Sequence, residues 1–162
     1  MKILVVASEA APFIRTGGLA DSVGALTRAL AATGADVRLV IPWYSGLDKA
    51  MTRDMKTAAT GIVNLAWRQL YYGVKEVRHH GVTTYFIDNE WYFKRDQLYG
   101  YQDDAERFAY FCRAVLAMLP EIGFHPDIIH CHDWHTGLVG TFLKEDFRSD
   151  RFYKGIKVIY TI

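Results

Sequence analysis

Arg15-Thr16-Gly17-Gly18-Leu19-Ala20-Asp21 joins a short apolar run to an amphipathic stretch, and its residue types suit the binding of an anion. Two adjacent glycines between a buried strand and a helix let the backbone approach a ligand closely, with free helix N–H groups aimed at it. Arg15 adds a cation, so a diphosphate is a fitting guest. The same glycines also suit a tight strand-to-helix turn that needs them for packing. Gly24 falls at the wrong distance for the GxGxxG dinucleotide fingerprint, and no Gly-Lys-Ser/Thr follows to make a P-loop. Asp21 belongs to the first helical turn, where the helix dipole favours an acid, or else it faces a substrate cleft.

A second cluster is His130-Cys131-His132-Asp133-Trp134-His135. Its donor atoms suggest a metal, but strand alternation sets His130 and His132 on one face and Cys131 on the other. No further Cys/His pair stands at zinc spacing, so no metal is expected. Asp133 is expected where a strand end opens into the next helix, capping that helix, facing a ligand, or both. Tyr92, Phe93, Tyr99 and Tyr101 fall in residues 88–102, which read as a long aromatic loop, a feature uncommon unless functional. Each of them suits a core as well as a substrate face.

These groups need a frame that holds them. Residues 3–7 are a continuous apolar run, as in a strand buried on both faces of a parallel sheet. Leu19, Val23, Leu26 and Leu30 mark one face of a helix, Gly34 ends it, and residues 36–41 form a second strand closed by Pro42. That is a βαβ unit. Residues 63–72, 74–77 and 82–87 read as further strands broken at Gly73 and Gly81, some of them antiparallel and inserted into the α/β scheme. Residues 103–119 read as a helix with Phe108, Phe111, Cys112, Val115 and Leu119 on its apolar side and an Asp103–Arg107 pair on its surface. Cys112 there reads as inert packing. A strand over 127–131, a helix over 134–147 and a parallel strand over 157–162 complete the scheme.

Composition narrows the partners. Half of the 162 residues are hydrophobic (51%), enough for one α/β domain with a real core and too many for a disordered chain. Lys and Arg number 19 against 18 Asp and Glu, a balance that argues against nucleic acid or an anionic membrane as partner. The two cysteines lack CxxC spacing, and residues 3–7 are too short for a signal core or a membrane span. A reduced, cytoplasmic protein is expected.

Residues 3–26, ILVVASEAAPFIRTGGLADSVGAL, resemble the N-terminus of bacterial glycogen synthases and plant starch synthases, whose signature there is Lys-x-Gly-Gly-Leu just after Ser-Glu-x-x-Pro. DIIHCHDWHTGL at 127–138 is similar to the family's His-x-His-Asp-Trp-His segment. Residues 88–100 and 103–108 resemble its Asp-x-x-x-Tyr-Phe…Leu-Tyr-Gly…Asp-Asp-x-x-Arg-Phe stretch. The resemblance implies an α/β fold, the Rossmann-like N-terminal domain of a GT-B glycosyltransferase, with a mostly parallel sheet and an inserted β segment. It implies transfer of glucose from ADP-glucose, less often UDP-glucose, to the non-reducing 4-OH of an α-1,4-glucan, with retention and without a cofactor.

Residue by residue, it implies that Arg15, Gly17 and Gly18 reach the donor's diphosphate and that Asp21 makes a polar contact in the cleft. Asp133 becomes the catalytic-site acid and Tyr99 a substrate-side aromatic. The family carries Lys where this chain has Arg15, and a planar fork does not replace a compact point charge one for one. A His-Asn pair follows the family's counterpart of the strand at 157–162. Residues 1–162 are therefore expected to be a truncated acceptor-side domain without its nucleotide-binding partner, inactive alone. Two other readings are a stand-alone glucan-binding module and a nucleotide-cofactor oxidoreductase; the latter lacks its glycine fingerprint.

Overall fold

The computed structural model describes residues 1–162. Strand β1 (Lys2–Val6) is buried from Ile3 onward, as the centre of a sheet covered on both faces requires. Helix α1 (Gly18–Ala32) follows, and Gly34, at a φ of +86°, turns the chain after it. Strand β2 (Asp36–Pro42) then runs parallel to β1. After the short α2 (Lys49–Thr52) come β3 (Lys56–Leu65) and β4 (Arg68–His79), an antiparallel hairpin. Strand β5 (Val82–Asp88) pairs antiparallel with β4 and parallel with β2. Next are α3 (Glu90–Phe93), α4 (Asp104–Glu121) and β6 (Ile128–His132). A 3₁₀ turn (Trp134–Thr136), α5 (Leu138–Glu145) and β7 (Lys157–Thr161) complete the chain.

The seven-stranded sheet has the order β3-β4-β5-β2-β1-β6-β7. Five neighbouring strands are parallel, and the hairpin extends one edge in the antiparallel sense. The expected α/β scheme with an inserted β segment is met. Its parallel strands deliver the loops after β1, β2, β5 and β6 to one edge, beyond their carboxyl ends, where ligands of open α/β sheets bind. Phe108, Phe111, Cys112, Val115 and Leu119 of α4 are all buried, as their spacing requires. No helix is long and apolar enough to cross a membrane.

Several elements differ from expectation. The hairpin turns at Ala66-Trp67, where Ala66 has a φ of +51°, and Gly73 lies inside β4. Both strand glycines serve close packing: a Cβ on Gly61 would meet the Tyr72 hydroxyl at 2.6 Å, and one on Gly73 the Tyr71 hydroxyl at 2.8 Å. The fully buried face of α1 is Ala20, Val23, Gly24 and Thr27, small residues that let the helix lie close. Leu19 and Leu30 flank it, half-buried. Residues 88–102 are not one long loop, because α3 buries Tyr92 and Phe93 completely. The Asp103–Arg107 ion pair does not form: Asp103 takes Arg95 in two 2.6 Å bonds, while Arg107 turns inward to Asp104 at 3.0 Å. The helix expected over 134–147 begins with the 3₁₀ turn, and β7, at a sheet edge, is largely exposed rather than buried.

Candidate active site

The loop after β1 is fixed at both ends. Ala11 N–H donates to Ala20 O at 3.0 Å, tying the loop to α1. Gly24 makes that contact possible, since a Cβ there would sit 2.4 Å from Ala11 O. Further along, the buried Glu9 carboxylate accepts from both the Thr16 N–H (2.5 Å) and the Thr16 hydroxyl (2.9 Å). Thr16 is thereby held just ahead of the glycine pair.

Gly17 and Gly18 themselves are exposed, and a Cβ on either would meet nothing within 4 Å. The φ of Gly17, −158°, is ordinary extended backbone. Neither packing nor conformation inside the chain therefore asks for glycine at these positions. Gly17 caps α1 with no side-chain acceptor, so the first N–H groups of the helix stay open to an incoming anion. Arg15 stands over this end and meets Asp21 at 3.3 Å, with the two side chains 65% and 58% exposed. Such a pair contributes under about 1 kcal/mol, so an anion can draw Arg15 away at little cost.

Asp133 follows β6 with φ +63° and ψ 171°, a region that non-glycine residues rarely occupy. Two contacts keep it there. Its N–H donates to Thr161 O at 2.8 Å, and its carboxylate accepts from Trp134 N–H at 2.6 Å. The cap is real, and the residue is only half-buried, so the second carboxylate oxygen is available to a hydroxyl. His130 and His132 share a face, with ring centroids 4.2 Å apart, while Cys131 points into the core.

Tyr99 is packed and half-buried. Its ring lies 4.5 Å from that of His135 and 6.0 Å from that of Phe108, and its hydroxyl bonds Ser8 Oγ at 2.8 Å. Burial raises its pKa, so the hydroxyl stays protonated. His135 is enclosed by Tyr99, Phe108 and Trp134 and its Nδ1 has no partner; burial pulls its pKa down to about 4. His132 is likewise buried, with Nε2 unpartnered and a pKa lowered to about 4. Both imidazoles are neutral near pH 7. Cys112 donates to His135 O at 3.3 Å, and burial pushes its thiol up to about 12, which fits packing rather than reactivity.

Three residues of this edge carried no site role in the sequence. Ser8 and Glu9 interrupt an otherwise apolar buried run, and that interruption was the available signal. Arg107, on the apolar side of α4, is fully buried; it donates to Leu98 O at 3.1 Å and to Asp104, which in turn accepts from Gly100 N–H at 2.7 Å. Arg107 and Asp104 thus hold the turn that carries Tyr99. The geometry gathers Arg15, Gly17, Gly18 and Asp21 at one helix end. Tyr99 and Asp133 stand apart from them, linked through His135 and through the Tyr99–Ser8–Glu9–Thr16 path.

Residues 2–162 match the family model described as the starch synthase catalytic domain. The chain is 54% identical over 162 residues to the glycogen synthase of Geobacillus stearothermophilus and 47% identical to that of Bacillus subtilis strain 168. All of the chain is covered in both cases, against 33% and 34% of those proteins, so the chain spans about a third of their length. The catalytic domain of starch synthase IV from Arabidopsis thaliana, solved bound to ADP and acarbose, superposes with a TM-score of 0.89 at 30% identity. The match covers 98% of this chain and 33% of that one. A sucrose-phosphate synthase from Thermosynechococcus elongatus, 18% identical with a TM-score of 0.53 over 90% of this chain and 30% of its own, shares the fold.

Proposed function

This chain belongs to the starch synthase catalytic domain family, and from that premise we propose that it is the acceptor-side domain of a retaining GT-B glucosyltransferase. The reaction moves glucose from ADP-glucose, with UDP-glucose the less common donor, to the non-reducing 4-OH of an α-1,4-glucan. The observation that carries this reading is the glycine pair. Gly17 and Gly18 answer no internal need, so their missing side chains serve a body that comes from outside. A diphosphate fits: it would meet the open N–H groups of α1 and take Arg15 from its exposed pair with Asp21. Asp133 would hold sugar hydroxyls with its free carboxylate oxygen, while Tyr99 acts by positioning the loop.

Starch synthase IV, bound to ADP and acarbose, supports a nucleotide donor and a glucan-like acceptor for this fold. Two free, buried thiols suit a reducing, cytoplasmic setting. Residues beyond this third of its relatives' length would supply the nucleotide pocket, so the 162-residue chain alone should transfer no glucose. The test is incorporation of labelled glucose into glycogen from each donor, by the protein at its relatives' full length and by the 162-residue chain beside it. Incorporation by the longer protein alone supports the reading and names the donor. Activity of the short chain would overturn the division of labour, and no incorporation from either donor would overturn the synthase assignment.

A further inference from the structure

The opposite rim of the sheet, where β2 and β5 begin and β4 ends, carries a cleft of about 620 Å³ lined by Arg28, Arg38, Arg78 and His80. In register, Arg38 stands opposite Thr83 and Thr83 opposite Arg78, so the two arginines leave one face of the sheet on either side of a threonine. Arg28 arrives from α1, which covers the opposite face, and reaches the cleft around the rim. The lining holds one carboxylate, Asp36, which meets Arg38 at 3.5 Å. Arg38 is already committed, donating to the Tyr85 hydroxyl and lying 3.9 Å from the Phe124 ring centroid. Arg28 and Arg78, both exposed, form no ion pair. The chain's net charge is only +1, so this concentration of cations is local.

The turn at the cleft brings an imidazole to the same rim. His80 and Gly81 have φ of +46° and +82° and close β4 onto β5, with His79 opposite Val82. A two-residue turn with both φ positive favours Asn-Gly or Asp-Gly, and this one carries an imidazole at its first position. The His80 ring lies 4.1 Å from that of His79. Burial, and then His80 and Arg28, lower the His79 pKa.

We propose that this cleft binds a small phosphate-bearing metabolite, with Arg28 and Arg78 gripping the phosphoryl oxygens and His80 as a third donor. Arginine's planar fork matches phosphate bidentately, and the volume lies in the small-ligand range. The site is at the far end of the strands from Gly17 and Gly18, so it is separate from any donor diphosphate. The experiment titrates inorganic phosphate, and methyl phosphate in parallel, into the 162-residue chain at constant ionic strength, following the histidine ring resonances by NMR. Saturable shifts of His79 and His80 are expected, with affinity falling at least 10-fold in the Arg28→Gln/Arg78→Gln double variant and unchanged in Arg15→Gln. Tighter binding of methyl phosphate would identify an ester as the ligand, and tighter binding of inorganic phosphate the free ion. Arg78→Lys, which keeps the charge and loses the fork, should fall between. Shifts that never saturate, equal affinity in the double variant, or loss of binding in Arg15→Gln would each overturn the proposal. All of these readings are independent of glucose transfer.

Discussion

Tyr99 shows how far residue type alone can be trusted. An aromatic in a sugar-handling segment invites a stacking role, but this ring is packed against His135 and Phe108 and its hydroxyl is the partner of Ser8 Oγ. Ser8 is 0% exposed, so Tyr99→Phe keeps the packing and strands a buried hydroxyl. We expect a loss of about 1–3 kcal/mol in urea unfolding, with an unchanged m-value. Stability equal to the parent's would show that Ser8 finds another partner and that the hydroxyl is not structural. The bond joins positions 91 apart, and no local pattern in a sequence announces such a pairing. Asp133 is different: its cap was legible because capping follows from residue type and position. Its positive φ was not legible, because Thr161 on a neighbouring strand helps to hold it. Arg107 was read as half of a surface pair for the same reason, since only the fold reveals which charge faces inward.

At the scale of elements, the glycines separate what packs from what stays open. Gly24 presses α1 onto the loop, and a Cβ there collides with backbone at 2.4 Å. Backbone cannot swing aside as a flexible side chain can, so Gly24→Ala should cost about 2 kcal/mol or more. Gly17→Ala and Gly18→Ala meet nothing within 4 Å; alanine is the better helix former at Gly18, the first helical residue, but the poorer residue at Gly17, the N-cap. Gly18→Ala should stay within about 0.5 kcal/mol of the parent and Gly17→Ala lose up to about 1 kcal/mol in chemical unfolding, while donor affinity of the longer protein falls in both. A large loss of stability at Gly18 would show that the pair serves the fold after all. Period and composition made β1, α1, β2, α4 and β6 legible, because α1 and α4 each bury one regular face and the parallel strands are short apolar runs. The hairpin was misjudged because Gly73 looks like a break in a sequence, whereas it lies, like Gly61, inside a strand. In the sheet they are the spaces into which Tyr72 and Tyr71 fold, and that exchange depends on register between strands.

For the whole molecule, the buried imidazoles set how the fold answers acid. His132 and His135 carry folded pKa values of about 4, against 6.5 for the free group, and burial is the main cause for both. A depressed histidine contributes stability that is complete above the unfolded value. That contribution is lost as pH falls from about 6.5 towards 4, because the unfolded chain binds the proton first. Each can contribute a slope of up to about 1.4 kcal/mol per pH unit in that window. His130 and His79, also lowered, act in the same direction, while Asp88, raised by burial, opposes them weakly. The urea midpoint should therefore be nearly flat from pH 8 to 7 and fall steeply between pH 6 and 4.5. His135→Phe isolates one contributor, because the Nδ1 it removes has no partner and its walls are the aromatic rings of Tyr99, Phe108 and Trp134. That variant should match the parent at pH 7 and lose a measurable part of the acid slope. An unchanged slope would assign the acid sensitivity to the other lowered histidines, His132 first, since Asp103, which Arg95 holds below its usual range, responds only at lower pH. Because His135 packs against Tyr99 and directly follows the Asp133–Trp134 cap, charging it would loosen the candidate site before the rest of the core.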